Sequence, residues 1–302
     1  MKRIFLLSLA LCATLVTSAE EYAKAGIYDV AEGRLVKATA APTVIAVTLD
    51  IETQSFTPGV YARYAQKYLG RVPTGCVDAA LLDALAAFCE KANIPFSETQ
   101  AGKGTLPWTH PLNVGGIGVT GGKAANILAP QADVIVAVGS RLTDFTTSSK
   151  WLFRHDAKFI GLNICPFDAI KMDAEAIICD AKAGLTAMTT ALDGYQSKWG
   201  SEVKAAVDEW NAIVDAHYAA APEGGLSQTR ALGEINAFMK AGDIAVGSAG
   251  SLPGDMQRLF RPCGRDTYHM EYGFSNMGYE TNGALGVKLA APDAEVYTFF
   301  GD

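Results

Sequence analysis

At 302 residues, with 49% hydrophobic and 19% charged side chains, the chain has the make-up of a soluble, core-forming protein with room for two domains, which excludes a disordered tail. A formal charge of -7 with no run of lysine or arginine excludes general attraction to nucleic acid or to an anionic membrane surface and leaves small-molecule chemistry as the expectation. Six cysteines without a Cys-x-x-Cys pair supply neither a zinc site nor a disulfide framework, and are expected as small buried hydrophobes.

The chain begins with Lys2 and Arg3, an apolar run from Ile4 to Val16, and the small residues Thr17-Ser18-Ala19 before Glu20. That order is the order of a secretory signal peptide, so residues 1–19 predict export, and the run is too short to cross a membrane comfortably. Residues 20–75 read as a β-rich segment, with Thr43 to Leu49 dominated by β-branched residues and Thr57-Pro58-Gly59 supplying a turn.

From Val77 the character changes. Val77, Leu81, Leu85 and Phe88 fall on one helical stripe, which Asn93-Ile94-Pro95 ends ahead of a strand from Pro95 to Thr99. A short helix follows from Lys123 to Ala129, and the runs Asp133 to Val138, Lys158 to Asn163 and Glu175 to Cys179 read as strands. Continuous apolar runs between helices imply strands buried on both faces of a parallel sheet, hence an α/β domain, closed by a helix from Ala181 to Leu192. Ser197 to Ala221 reads as a longer helical linker with Glu202, Lys204, Asp208 and Glu209 facing water, and Pro222-Glu223-Gly224-Gly225 marks a boundary. A second α/β unit begins there, with a helix around Thr229 to Lys240, strands Ile244 to Gly247 and Glu295 to Phe300, and a helix around Asn282 to Ala290. In open α/β sheets the C-terminal edge of the strands is where ligands bind.

Three constellations are chemically suggestive. Gly115 to Gly122 precedes a helix whose free N–H groups suit an anion, but it does not follow a strand as a dinucleotide fingerprint requires, so a structural turn is at least an equal reading. Gly247-Ser248-Ala249-Gly250-Ser251-Leu252-Pro253-Gly254-Asp255 closes a strand and opens a helix, with Pro253 in the first turn; it reads equally as a diphosphate cradle or an ordinary strand-to-helix loop. His269 through Glu280 packs ionisable, aromatic and glycine residues into a loop before a helix. By themselves His269 reads as a hydrogen-bonded structural histidine and Met277 as packing.

Together these residues resemble the thiamine-diphosphate enzyme family, most closely its branch in myo-inositol catabolism. The match lies in Glu98 to Gly104, Gly115 to Gly121 and Val138 to Thr147 for a central domain, and in Ala249 to Asp255 and His269 to Tyr279 for the opening of a diphosphate-binding domain. It runs from about residue 76 to Asp302. The expected organisation is a signal-like 1–19, an unrelated β-rich 20–75, a parallel-sheet central α/β domain over 76–195, a helical linker over 196–223, and the truncated start of an α/β diphosphate-binding domain over 224–302.

The resemblance implies hydrolytic opening of a cyclic, polyol-derived 1,2-diketone to a 5-deoxy-glucuronic acid, with thiamine diphosphate and Mg2+ as cofactors. It places Gly250, Ser251 and Leu252 near the diphosphate, and Asn276, Met277 and Gly278 against the aminopyrimidine. Gly301 and Asp302 would open the metal motif, with Asp302 a ligand to the magnesium, whose preference is for oxygen donors. It also implies a homo-oligomer and a cytoplasmic location, the last at odds with the export signal.

In the family an N-terminal domain supplies a glutamate to the aminopyrimidine ring, and neither Glu20 nor Glu52 replaces it. Residues 1–70 instead resemble the start of a family of exported bacterial proteins, which predicts a join near Arg71 to Cys76 and a chain inactive by itself. The central domain then lacks its first strand, leaving a sheet edge unpaired unless Thr43 to Leu49 takes its place. Two other readings are a dinucleotide-dependent oxidoreductase using the Gly115 to Gly122 loop and a non-catalytic exported protein.

Overall fold

The computed structural model describes residues 26–29, 34–38, 44–47 and 79–301, except 193, 224, 249, 266 and 272–275. The signal-like segment, the turn at Thr57-Pro58-Gly59, the join near Arg71 to Cys76, Val77 and Asp302 lie outside the described residues.

Strands β1 (Gly26–Asp29) and β2 (Arg34–Ala38) form an antiparallel pair. The main sheet is built from β3 (Val44–Val47), β4 (Phe96–Glu98), β5 (Asn113–Gly116), β6 (Val134–Val138), β7 (Lys158–Leu162) and β8 (Glu175–Ile177), every described pairing being parallel. Its spatial order is β5-β4-β3-β6-β7-β8. Val44–Val47 therefore takes the place of the missing strand, in the interior of the sheet and not at its edge, pairing Val44 with Val134 and Ala46 with Phe96. The chain winds outward from this strand in both directions, the doubly wound pattern expected of βα repeats.

Helices α1 (Ala79–Lys91), α2 (Lys123–Leu128), α3 (Asp144–Thr147), α4 (Pro166–Ala169), α5 (Ala181–Ala191) and α6 (Ser201–Ala219) complete the unit. The alternation of β6 explains its unbroken apolar run. Val136 and Val138 face a core with Leu81, Leu85 and Phe88 of α1 and Leu185 of α5, whereas Ile135 and Ala137 face a second core with Ala124, Leu128, Phe159 and Val203. Burying a side chain such as Phe88 completely contributes about 2 kcal/mol. α1 ends where the sequence places its stop: Asn93 adopts φ 52, and Ile94 N–H reaches back to Cys89 O at 2.9 Å. α6 exposes Glu202, Lys204, Asp208 and Glu209 as expected, but it also buries Val203, Ala206 and Val214 against its neighbours.

The second unit holds α7 (Gln228–Phe238), β9 (Ile244–Gly247), α8 (Ser251–Leu259), β10 (Tyr268–Met270), α9 (Tyr279–Ala290) and β11 (Val296–Thr298). Its strands pair in parallel in the order β10-β9-β11. Ala245 faces a core with Met256, Phe260 and Leu232, and Ile244 and Val246 face Val287 of α9. Two sequence expectations are corrected. The glycine stretch does follow a strand, since Gly115 and Gly116 are the last residues of β5, an edge strand whose two glycines mask its β character. His269 lies in a strand, not in a loop, because β10 pairs His269 with Val246 of β9.

Candidate functional site

The C-terminal edge of the β10-β9-β11 sheet gathers the chemically suggestive residues. After β9 the chain passes the buried Ser248 and turns at Gly250, whose φ of 99 and ψ of -167 are open essentially only to glycine. α8 then begins at Ser251 with no side chain capping its N-terminus. The N–H groups of a first helical turn have no intrahelical partner, and they point toward positive-end space that favours an anion. α9 likewise starts behind an uncapped glycine, Gly278, at φ 84 with no neighbouring atom within 4 Å of an added Cβ. Thr143, Asp180 and Ser227 cap α3, α5 and α7, whereas α2, α4 and α6 share with α8 and α9 the lack of a side-chain cap, so it is their place at this sheet edge that sets α8 and α9 apart.

Hydrogen bonds tie the loops of this edge together. Ser248 Oγ donates to Asn276 O at 2.8 Å, Asn276 N donates to Glu271 Oε2 at 2.9 Å, and Glu271 N donates to Gly247 O at 3.3 Å. A Cβ at Gly250 would lie 3.6 Å from Gly301 Cα, which brings the end of the β11 strand alongside the start of α8. Gly250, Ser251, Asn276 and Gly301 therefore meet at one edge. Leu252 follows in α8 with its side chain in the core, so its backbone is what it presents to this edge. Met277 is 84% exposed. Asp302 lies outside the described residues, and among those residues no group of three or more His, Cys, Asp or Glu is placed to hold a metal. No described helix is long and apolar enough to cross a membrane.

Beneath the edge, His269 Nε2 and the Tyr279 hydroxyl share a hydrogen bond of 2.6 Å. Burial pushes His269 down from 6.5 to about 4, against the pull of Glu271, and pushes Tyr279 up to about 12, so both stay neutral at pH 7. A base held neutral by the fold contributes stability that is fully present above 6.5 and is lost as pH falls toward 4. The interval from 6.5 to about 4 corresponds to roughly 3 kcal/mol. The urea midpoint is therefore expected to drop further between pH 7 and pH 4.5 in the native chain than in His269→Gln; parallel losses in both chains would refute this assignment.

Sequence reasoning missed the buried polar groups around the site. Glu280, in the first turn of α9, is only 3% exposed, and Gln100 and Gln257 are 3% and 2% exposed. A first-turn glutamate reads in sequence as a solvated complement to the helix dipole, so nothing local marks Glu280 as buried. The glycine stretch after β5 serves close packing. A Cβ at Gly116 would lie 2.9 Å from Gln257 O, one at Gly122 would lie 2.6 Å from Trp210 Nε1, and Gly254 of α8 faces Thr120.

Residues 66–188 match the family model described as thiamine pyrophosphate enzyme, central domain, and residues 248–302 match that described as thiamine pyrophosphate enzyme, C-terminal TPP binding domain. The chain is similar to the 3D-(3,5/4)-trihydroxycyclohexane-1,2-dione hydrolase of Geobacillus thermodenitrificans (strain NG80-2), 47% identical over 243 residues, covering 73% of this chain and 38% of that protein. It is also similar to the proteins of the same name from Clostridium tetani (strain Massachusetts / E88), at 45% over 247 residues, 73% of this chain and 38% of that protein, and Bacillus cereus (strain AH820), at 43% over 251 residues, 74% of this chain and 39% of that protein. The chain thus spans about 38% of the length of the first of these curated relatives.

Proposed function

The chain carries the central and C-terminal cofactor-binding domains of the thiamine pyrophosphate enzymes, and from that premise we propose that it anchors thiamine diphosphate for hydrolytic opening of a cyclic 1,2-diketone of the trihydroxycyclohexane-dione type. The observation that carries this reading is the pairing of two uncapped helix N-termini, α8 behind Gly250 and α9 behind Gly278, at the C-terminal edge of one parallel sheet. The donor set fits the group: backbone N–H groups for a diphosphate, and an exposed methionine beside glycine for a heteroaromatic ring.

In this reading the N–H groups of Ser251 and Leu252, with the Ser251 hydroxyl, hold the diphosphate, and Gly250 lets the backbone approach it. The backbone of Asn276 and Gly278 and the side chain of Met277 support the aminopyrimidine. Gly301 leads into Asp302, whose carboxylate is a ligand for magnesium, an ion that takes oxygen donors. The neutral His269-Tyr279 pair braces β10 against α9 and keeps a charge away from the floor of the site. The chemistry supplied by thiamine diphosphate when bound is nucleophilic addition to a carbonyl and uptake of the electron pair released by carbon–carbon cleavage.

Calorimetric titration of the purified chain with thiamine diphosphate and Mg2+ tests the anchoring. Saturable binding is expected, weakened about tenfold or more in Gly250→Ala, where the added Cβ strains a glycine-only conformation. The absence of binding by the native chain at millimolar cofactor would sink the reading. Turnover of the dione by the loaded chain would overturn the expectation that it is inactive by itself.

A further inference from the structure

The central domain grips α8 through two buried glutamines. Gln100, just beyond β4, donates from Nε2 to Pro253 O in the first turn of α8, at 2.8 Å. One turn further along the same helix face, Gln257 donates from Nε2 to Ile117 O at 3.0 Å and accepts from the Thr120 hydroxyl. Ile117 and Thr120 belong to the glycine stretch, and the absent side chains of Gly116 and Gly254 let that stretch and α8 approach closely. With only 3% and 2% exposure, the two amides are screened little by water, so their hydrogen bonds define position strongly. Gln100 Oε1 has no hydrogen-bond partner among the described residues, so what this amide gives in the described structure is its N–H to α8.

These contacts bear on the end of α8 that matters for an anion. The attraction of a helix N-terminus is confined to its first turn, and Pro253 contributes no N–H there, which leaves fewer donors whose placement counts. We infer that Gln100, Thr120 and Gln257 are positioning residues through which the central domain sets the affinity of α8 for a diphosphate. The inference rests on the cofactor reading above, and it assigns to the glycine stretch a role in docking the diphosphate helix.

The test compares the native chain, Gln100→Met and Thr120→Val for affinity toward thiamine diphosphate and toward inorganic pyrophosphate, each with Mg2+, alongside the urea midpoint without ligand. Removing one such hydrogen bond is expected to weaken both ligands by the same factor, about fivefold; the midpoint falls too where a buried partner is left unpaired, with each variant still fully folded in the absence of urea. Unchanged affinities in both variants, or a loss that appears only for the thiamine compound, would overturn the inference while leaving the cofactor reading intact. A weakening confined to variants that are partly unfolded in the absence of urea would overturn it too, as mere destabilisation. Failure of the native chain to bind either ligand would remove the cofactor reading and this inference with it. Should Gln100→Met not fold, Thr120→Val, at a half-buried position, carries the comparison alone.

Discussion

Replacing Gly118 with alanine is expected to destabilise the chain by about 4 kcal/mol or more, whereas the same change three residues earlier at Gly115 costs about 1 kcal/mol. Both glycines have positive φ, 97 and 82, so both substitutions meet a similar backbone penalty. Their surroundings separate them. An alanine Cβ at Gly115 has nothing within 4 Å, but one at Gly118 would overlap the Phe145 carbonyl oxygen and come within 2.9 Å of the Phe145 carbonyl carbon and Thr146 Cα. These are backbone atoms of α3, which cannot swing aside as a side chain does. The same carbonyl accepts from Val119 N–H at 2.8 Å, and Gly118 itself exchanges two hydrogen bonds with the Asn126 side chain, at 3.0 and 2.8 Å. Relief of the overlap must therefore stretch the hydrogen bonds that hold the stretch to α2 and α3, adding desolvation to strain. Urea unfolding of the two variants measures the difference; equal midpoints would contradict it.

Those glycines also show where sequence and structure part. The helices and the long strands were legible because their signals are local: the apolar stripe of α1, the unbroken run of β6, and the stop at Asn93-Ile94-Pro95. Gly250, Asn276 and Gly301 were named together only by the family resemblance; glycine-rich turns by themselves do not say that these residues meet at one edge. The purpose of Gly115 to Gly122 was not legible, because it depends on Gln257, about 140 residues away. Two further placements depend on partners distant in sequence: Tyr268–Met270 becomes a strand by pairing with β9, and Val44–Val47 reads as a strand but not as the interior strand of the main sheet. Propensity indicates that a segment will pair; it does not say with what.

Lys103→Met is the second change expected to act strongly, by about 1 to 3 kcal/mol at neutral pH. Glu98 and Lys103 are both buried, at the C-terminal end of β4 and in the turn that follows it, and the Glu98 carboxylate accepts from Gly104 N–H at 3.1 Å. Burial pushes Glu98 up to about 6 even though the Lys103 charge pulls it down, and burial lowers Lys103 against the pull of Glu98. Without the ammonium the carboxylate loses its counter-charge and is driven higher still. A carboxyl raised in the fold contributes stability below its ordinary 4.5 that is lost as pH rises through the folded value. Lys103→Met should therefore lose more stability at pH 8 than at pH 5.5, the reverse of the slope assigned to His269. Glu98→Gln combined with Lys103→Met removes the orphaned charge while keeping the shape, and is expected to recover most of the loss and flatten its pH dependence. Urea midpoints of the native, single and double variants at the two pH values decide the matter. If the double variant is no more stable than Lys103→Met, the loss arises from packing of the lysine stem, and the buried charges are not what holds this turn against Pro262 and Tyr268 of the second unit.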